Sequence, residues 1–156
     1  MPRPRLHILD APTERNLAAG LFNETWRLME TVDRTPEQTD AMIHTAHASR
    51  YHWGRVGTAV NAARGEWLCS RVYSVLGRSE PALWHAHRCL ELVKSAGDAE
   101  DWDIAAAYEA LARACELSGA EAAAAKWLEA ARQAAASIAD PENRQQIESD
   151  LATLEK

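Results

Sequence analysis

Histidine is where the chemistry of this chain would begin. Asp40, His44, His47 and Tyr51 stand at i, i+4, i+7 and i+11, and His52 follows directly. On a helix that spacing gathers the first four on one continuous face. Two imidazoles three residues apart can be presented to one metal ion, with a carboxylate from the turn before completing the set. His85 and His87 add two more donors. Being two residues apart on one helix, they point to nearly opposite sides, so only one of them can join. No HExxH occurs, and with it the general base of that protease motif is missing. A solvated or partner-facing stripe is the plainer reading, and no bound metal or cofactor is expected.

Other reactive groups say less. Cys69, Cys89 and Cys115 are odd in number, and each falls at a small-residue position of a helical pattern. Reduced, buried thiols in a cytosolic protein are expected. Ser70 has no identifiable base inside a helix, so packing is its expected role. There is no GxSxG, no CxxC and no Gly-rich phosphate loop. Catalysis is therefore the less favoured reading. Six tryptophans accompany a single Phe. Trp26 and Trp127 share helical spacing with other apolar residues and are expected in the core. Trp53, Trp67, Trp84 and Trp102 sit near helix ends, where they either pack under a loop or mark an interface.

The elements that must position these residues are helices. The 156 residues suffice for one domain with a sizeable core. A formal charge of −6 leaves no basic surplus to neutralise phosphates, which argues against nucleic-acid binding. No apolar run is long enough for a membrane span, and the basic start has no apolar stretch behind it, so a cytoplasmic protein is expected. Residues 1–12, with three Pro, read as an extended arm laid on the body through Leu6, Ile8 and Leu9; residues 13–156 read as one helical domain. Thr13 is expected to cap the first helix, to about Thr31. Thr35 with Pro36 starts the second, which Gly54 and Gly57 break. The third covers about Thr58–Leu76 and closes at Gly77, and the fourth about 80–96. A fifth opens near the carboxylates after Asp98 and stops near Gly119, a sixth covers about 121–139, and Asp140 with Pro141 opens a seventh.

Three of these helix pairs repeat. Shifting Arg64–Leu92 by 42 lays Ser70 on Ala112, Tyr73 on Cys115, Gly77 on Gly119, Ala82 on Ala124, Ala86 on Leu128 and Cys89 on Ala131. A shift of 44 lays Val32–Thr35 on Leu76–Ser79, putting Asp33 where Gly77 stands. Small and Gly positions coincide while exposed ones diverge, the signature of stacked helical hairpins. The pattern resembles a long-period tetratricopeptide repeat over roughly residues 14–139. It departs from that family at Glu66, where a large aromatic belongs, at Asp33, and at Trp26, which occupies a small site. The resemblance implies an all-α, right-handed superhelical array of three hairpins with the seventh helix as cap. A closed up-and-down bundle is the competing architecture.

The resemblance further implies a concave groove lined by the first helix of each pair and holding a peptide or protein segment. Arg27, Arg71 and Arg113 occupy one row of it. Asn23, Trp67 and Glu109 stand four residues earlier, and Glu30, Ser74 and Glu116 three later. Stacked guanidiniums would fork onto an acidic segment, with Trp67 as anchor. Simple surface ion pairs are the plainer alternative. An interaction module is thus the first functional reading. A helical metal- or small-molecule-binding protein or enzyme using His44, His47, Tyr51 and His85 or His87 is the second, and homo-oligomerisation through Trp and Ala-rich faces the third.

Overall fold

The computed structural model describes residues 1, 3 and 6–154. Seven helices form: α1 Ala11–Glu30, α2 Pro36–Val56, α3 Ala59–Val75, α4 Ser79–Ser95, α5 Asp101–Leu117, α6 Glu121–Ala136 and α7 Pro141–Ala152. No strand occurs among the described residues.

Helix ends follow the cap chemistry, with two corrections. Thr35 and Gln38 form a reciprocal capping box ahead of Pro36, as expected. Asp10, rather than Thr13, caps α1, accepting from the Thr13 amide at 3.0 Å and its hydroxyl at 2.7 Å. A carboxylate caps better than the threonine three residues on, and the helix gains residues 11–13. Gly54 does not break α2, which runs on to Val56 and is closed by Gly57. The inter-helix turns bear out the repeat. Gly77 and Gly119 take φ of 71° and 78°. The Arg78 amide donates to Tyr73 O at 2.9 Å, and the Ala120 amide to Cys115 O at 3.0 Å, so both pairs turn through the same left-handed cap. Asp33 is the described non-glycine residue with positive φ, 54°. The first hairpin turns differently: Thr31 after α1 is extended, Asp33 rather than a glycine takes the positive φ, and the Arg34 guanidinium donates to the Leu28, Met29 and Thr31 carbonyls at 3.2, 2.8 and 3.2 Å.

Consecutive helices pack together all along the chain, and α1, α3, α5 and α7 also pack each on the next. Helix α1 makes no packing contact with α5, α6 or α7. The array is open, whereas a closed bundle would return its last helix to its first. Ala82 is fully buried, as the α3–α4 crossing demands, but Ala124 is only half-buried. The cause is its place in the last hairpin, where only α7 follows to cover α6. A glycine that the sequence did not single out, Gly65, sets the α2–α3 approach: a Cβ there would lie 2.7 Å from Arg50 Cδ and 3.2 Å from its Cα.

The arm does not dock as expected. Leu6 and Ile8 are exposed and Leu9 is half-buried; residues 2, 4 and 5 of the arm, like 155 and 156 of the domain, lie outside the described residues. All three cysteines are free and buried. Among the described residues no helix is long and apolar enough to cross a membrane.

Candidate functional site

The hairpin packing leaves a cleft between α1 and α7, floored by α3 and α5, with a volume of about 430 Å³. Phe22 and Trp26 form the α1 wall, Ile147 and Gln146 the α7 wall, and Trp67 and Trp102 stand between them over Ala63 and Ala106. The rings of Trp26 and Trp67 lie 5.7 Å apart. Trp26, expected in the core, is thus half-buried on the cleft wall, which explains a large residue at a small site of the repeat. Trp127 is likewise half-buried, stacked on Tyr108 at 5.6 Å. Helix α7 reaches its place by burying Ile147 and Leu151 against Ala131, Ala135 and Ala105.

The buried charges of the cleft are paired within the chain. Arg64 forks onto Asp103 at 2.9 and 3.0 Å, and its guanidinium lies 4.3 Å from the Trp102 ring centre. Asp103 is 3% exposed and also accepts from the Glu100 amide at 2.9 Å, so both of its oxygens have partners.

The arginine row meets the same fate. Arg71 and Arg113 emerge on one face, as their repeat positions require, and both turn onto buried Glu109. Arg71 also donates to Asp150 Oδ1 at 2.8 Å; Arg113 donates to Asp150 O at 3.0 Å and to the Thr153 hydroxyl at 2.7 Å. Arg27 is exposed and paired with Glu24. The plainer alternative of ion pairs describes this row: the chain's own carboxylates pair with Arg71 and Arg113, and Arg27 is in a surface pair. Asn23 is exposed beside a smaller cavity of about 200 Å³ that Phe22, Trp53 and Arg64 also line. Glu30 lies at the cleft rim, while Ser74 and Glu116 border a shallow depression with Arg71 and Arg113.

On another face of α3 the histidines divide. Asp40, His44 and His87 are exposed and lie outside the one grouping that converges. Tyr51 is half exposed, with the Arg55 guanidinium 5.9 Å from its ring centre, and His52 donates to buried Glu14 at 2.8 Å. His47 and His85, from α2 and α4, come together across α3 with their rings 5.2 Å apart. Between them stands Cys69, fully buried, its sulfur 3.9 Å from His47 Nδ1. His47 Nε2 is hydrogen-bonded to Tyr73 Oη at 2.8 Å, and His85 Nδ1 donates to Glu66 Oε2 at 2.6 Å. Glu66 takes a second bond, from Arg50 Nε, at 2.8 Å. Burial pushes the Cys69 thiol up to about 12, and burial followed by the neighbouring His85 pushes His47 below its ordinary value. Glu66, the departure from the family's aromatic, is here the buried acid that holds His85. Sequence reasoning treated Cys69 as packing because a helical pattern does not show what faces a small residue from neighbouring helices.

No family model matches the chain, and neither a curated protein nor a solved structure shows significant similarity to it.

Proposed function

We propose that the chain is a binding module of the tetratricopeptide type, a right-handed array that takes a short segment of a partner protein in the α1–α7 cleft. The equivalent left-handed turns at Gly77 and Gly119 and the packing of every second helix support that architecture. The observation that carries the functional reading is the cleft itself: open between α1 and α7, walled by Phe22, Trp26, Trp67 and Trp102, and of a size that accepts a few side chains. Because Arg64, Arg71 and Arg113 are internally paired, the complement of this surface is an apolar or aromatic anchor and not an acidic run. Aromatic pockets of this kind concentrate binding energy. The second reading, a metal-binding helical protein, gains one specific observation in the meeting of His47 and His85 at Cys69.

The test is a random-peptide selection against the purified protein and against Gln146→Trp. That variant fills the cleft from an exposed position of α7 and leaves the core alone. Peptides sharing an aliphatic or aromatic anchor, bound by the natural chain and lost in the variant, are the expected outcome. Equal enrichment on both proteins sinks the cleft as the site.

A further inference from the structure

We infer that His47, Cys69 and His85 form a binding site for one transition-metal ion, with zinc as the ion that the donor set suits. The donors come from three successive helices, so packing and not local spacing assembles them. One ligand atom from each lies within 4.8 Å of the others, and among the described residues this is the one such grouping of three. Tetrahedral zinc bonded at about 2.0–2.3 Å requires donors roughly 3.3–3.6 Å apart, so closing on the ion takes a movement of about 1 Å. Two imidazoles and a thiolate are soft enough to select zinc or a neighbouring late transition metal over magnesium or calcium.

What marks the cluster as a built site is the commitment of the other ring nitrogens. His85 spends Nδ1–H on Glu66, which Arg50 holds in turn, leaving Nε2 for a metal. His47 has Nε2 on the Tyr73 oxygen and turns Nδ1 toward the sulfur. With a metal on Nδ1, the Nε2–H donates to Tyr73 Oη. An oxygen partner on the far nitrogen of each ligating histidine is the arrangement that fixes tautomer and ring direction around bound metals. Tyr73 also stacks on His85, with ring centres 5.7 Å apart and planes 8° from parallel, which restrains that ring further. Cys69 supplies the interior wall, while the half-buried imidazoles give the ion its way in. Binding replaces the S–H bond with an S–metal bond and releases one proton to solvent per ion. The fourth position is left to water or to a ligand from solution. The site lies on a different face of α3 from the aromatic cleft and does not rest on peptide binding there.

Cobalt(II) reports the donors directly. The metal-stripped full-length chain, titrated with cobalt, should take one equivalent. It should develop a thiolate-to-cobalt charge-transfer band together with the intense visible bands of a four-coordinate ion, and zinc should bleach both. His85→Gln and Cys69→Ser should lose the thiolate band, while His44→Ala and Cys115→Ser keep it. Glu66→Gln should weaken affinity about 10- to 100-fold, as removal of an outer hydrogen-bond partner does. His85→Gln, at a half-buried position, carries the test if Cys69→Ser fails to fold, with circular dichroism as the check on its fold. No thiolate band at large cobalt excess, or a band that survives His85→Gln in a folded protein, overturns the site.

Discussion

On the cleft side of α3, Arg64 and Arg71 find carboxylates within the chain, and what is left exposed is aromatic. On the side facing α2 and α4, His47 and His85 meet a thiol and each commits one ring nitrogen to an oxygen. One helix thus carries a surface whose charges cancel and a cluster whose donor atoms lie within 4.8 Å of one another. Formal charge at a sequence position decides neither outcome. The partner on the next helix does: Asp103 and Asp150 on one side, Glu66 and Tyr73 on the other.

The largest effect that would test this contrast is on Trp67. It packs against all three core clusters while lining the cleft, so it joins the hairpins as well as presenting a face. Trp67→Ala should cost about 3 kcal/mol, the lower end for tryptophan truncation because the ring is half-buried. Trp84→Ala, at a site 69% exposed, should stay within about 0.5 kcal/mol. Denaturant midpoints measure both. Similar small shifts in the two would mean that the cleft face contributes nothing to the joint between hairpins.

Arg71 is the next test. Arg71→Ala strips Asp150 of its guanidinium and leaves Glu109, 2% exposed, with Arg113 alone. The expected destabilisation is about 1–3 kcal/mol, since buried charged acceptors lose a partner. Arg27→Ala, which breaks only an exposed pair, should cost less than about 1 kcal/mol. A double-mutant cycle of Arg71 with Asp150 isolates the link from α3 to α7. No coupling there would mean that Arg71, still held by Glu109, does not tie α3 to α7.

How much of this was legible in the sequence follows from what each residue type can say alone. Gly77 and Gly119 announced their turns because positive φ is cheap only without a Cβ, and the offset then located Asp33 despite its side chain. The common face of Arg71 and Arg113 was legible for the same reason, since equivalent repeat positions share a direction. Their pairing with Asp150 was not. It depends on where α7 settles, and α7 has no counterpart in the repeat. The cleft was hidden likewise, although Trp26 at a small site was its one signal. His47 stood out, but the HxxH spacing pointed to His44 as its companion, and His44 faces solvent. Of the two helix-four histidines that the sequence offered, His85 comes beside His47, while Cys69 arrives from α3 at a spacing that no local motif encodes.

The smallest effect concerns a second clamp that resembles the one on Glu66. Glu14, 2% exposed, is gripped by His52 at 2.8 Å and Arg55 at 2.6 Å, as Glu66 is by His85 and Arg50. The His52 hydrogen bond, opposed by burial and reinforced by Arg55, holds the Glu14 carboxyl below its ordinary value. A carboxyl with a depressed pKa in the folded chain adds stability that is complete above the ordinary carboxylate range. That stability disappears as pH falls through the folded value, because the unfolded chain takes up the proton first. Unfolding free energy should therefore decline below roughly pH 5, where model glutamates begin to titrate. Glu14→Gln should be less stable at neutral pH and show a shallower decline on the acid side, as followed by urea titrations at stepped pH. An unchanged acid slope in Glu14→Gln would show that the α1–α2 clamp carries no pH-linked stability.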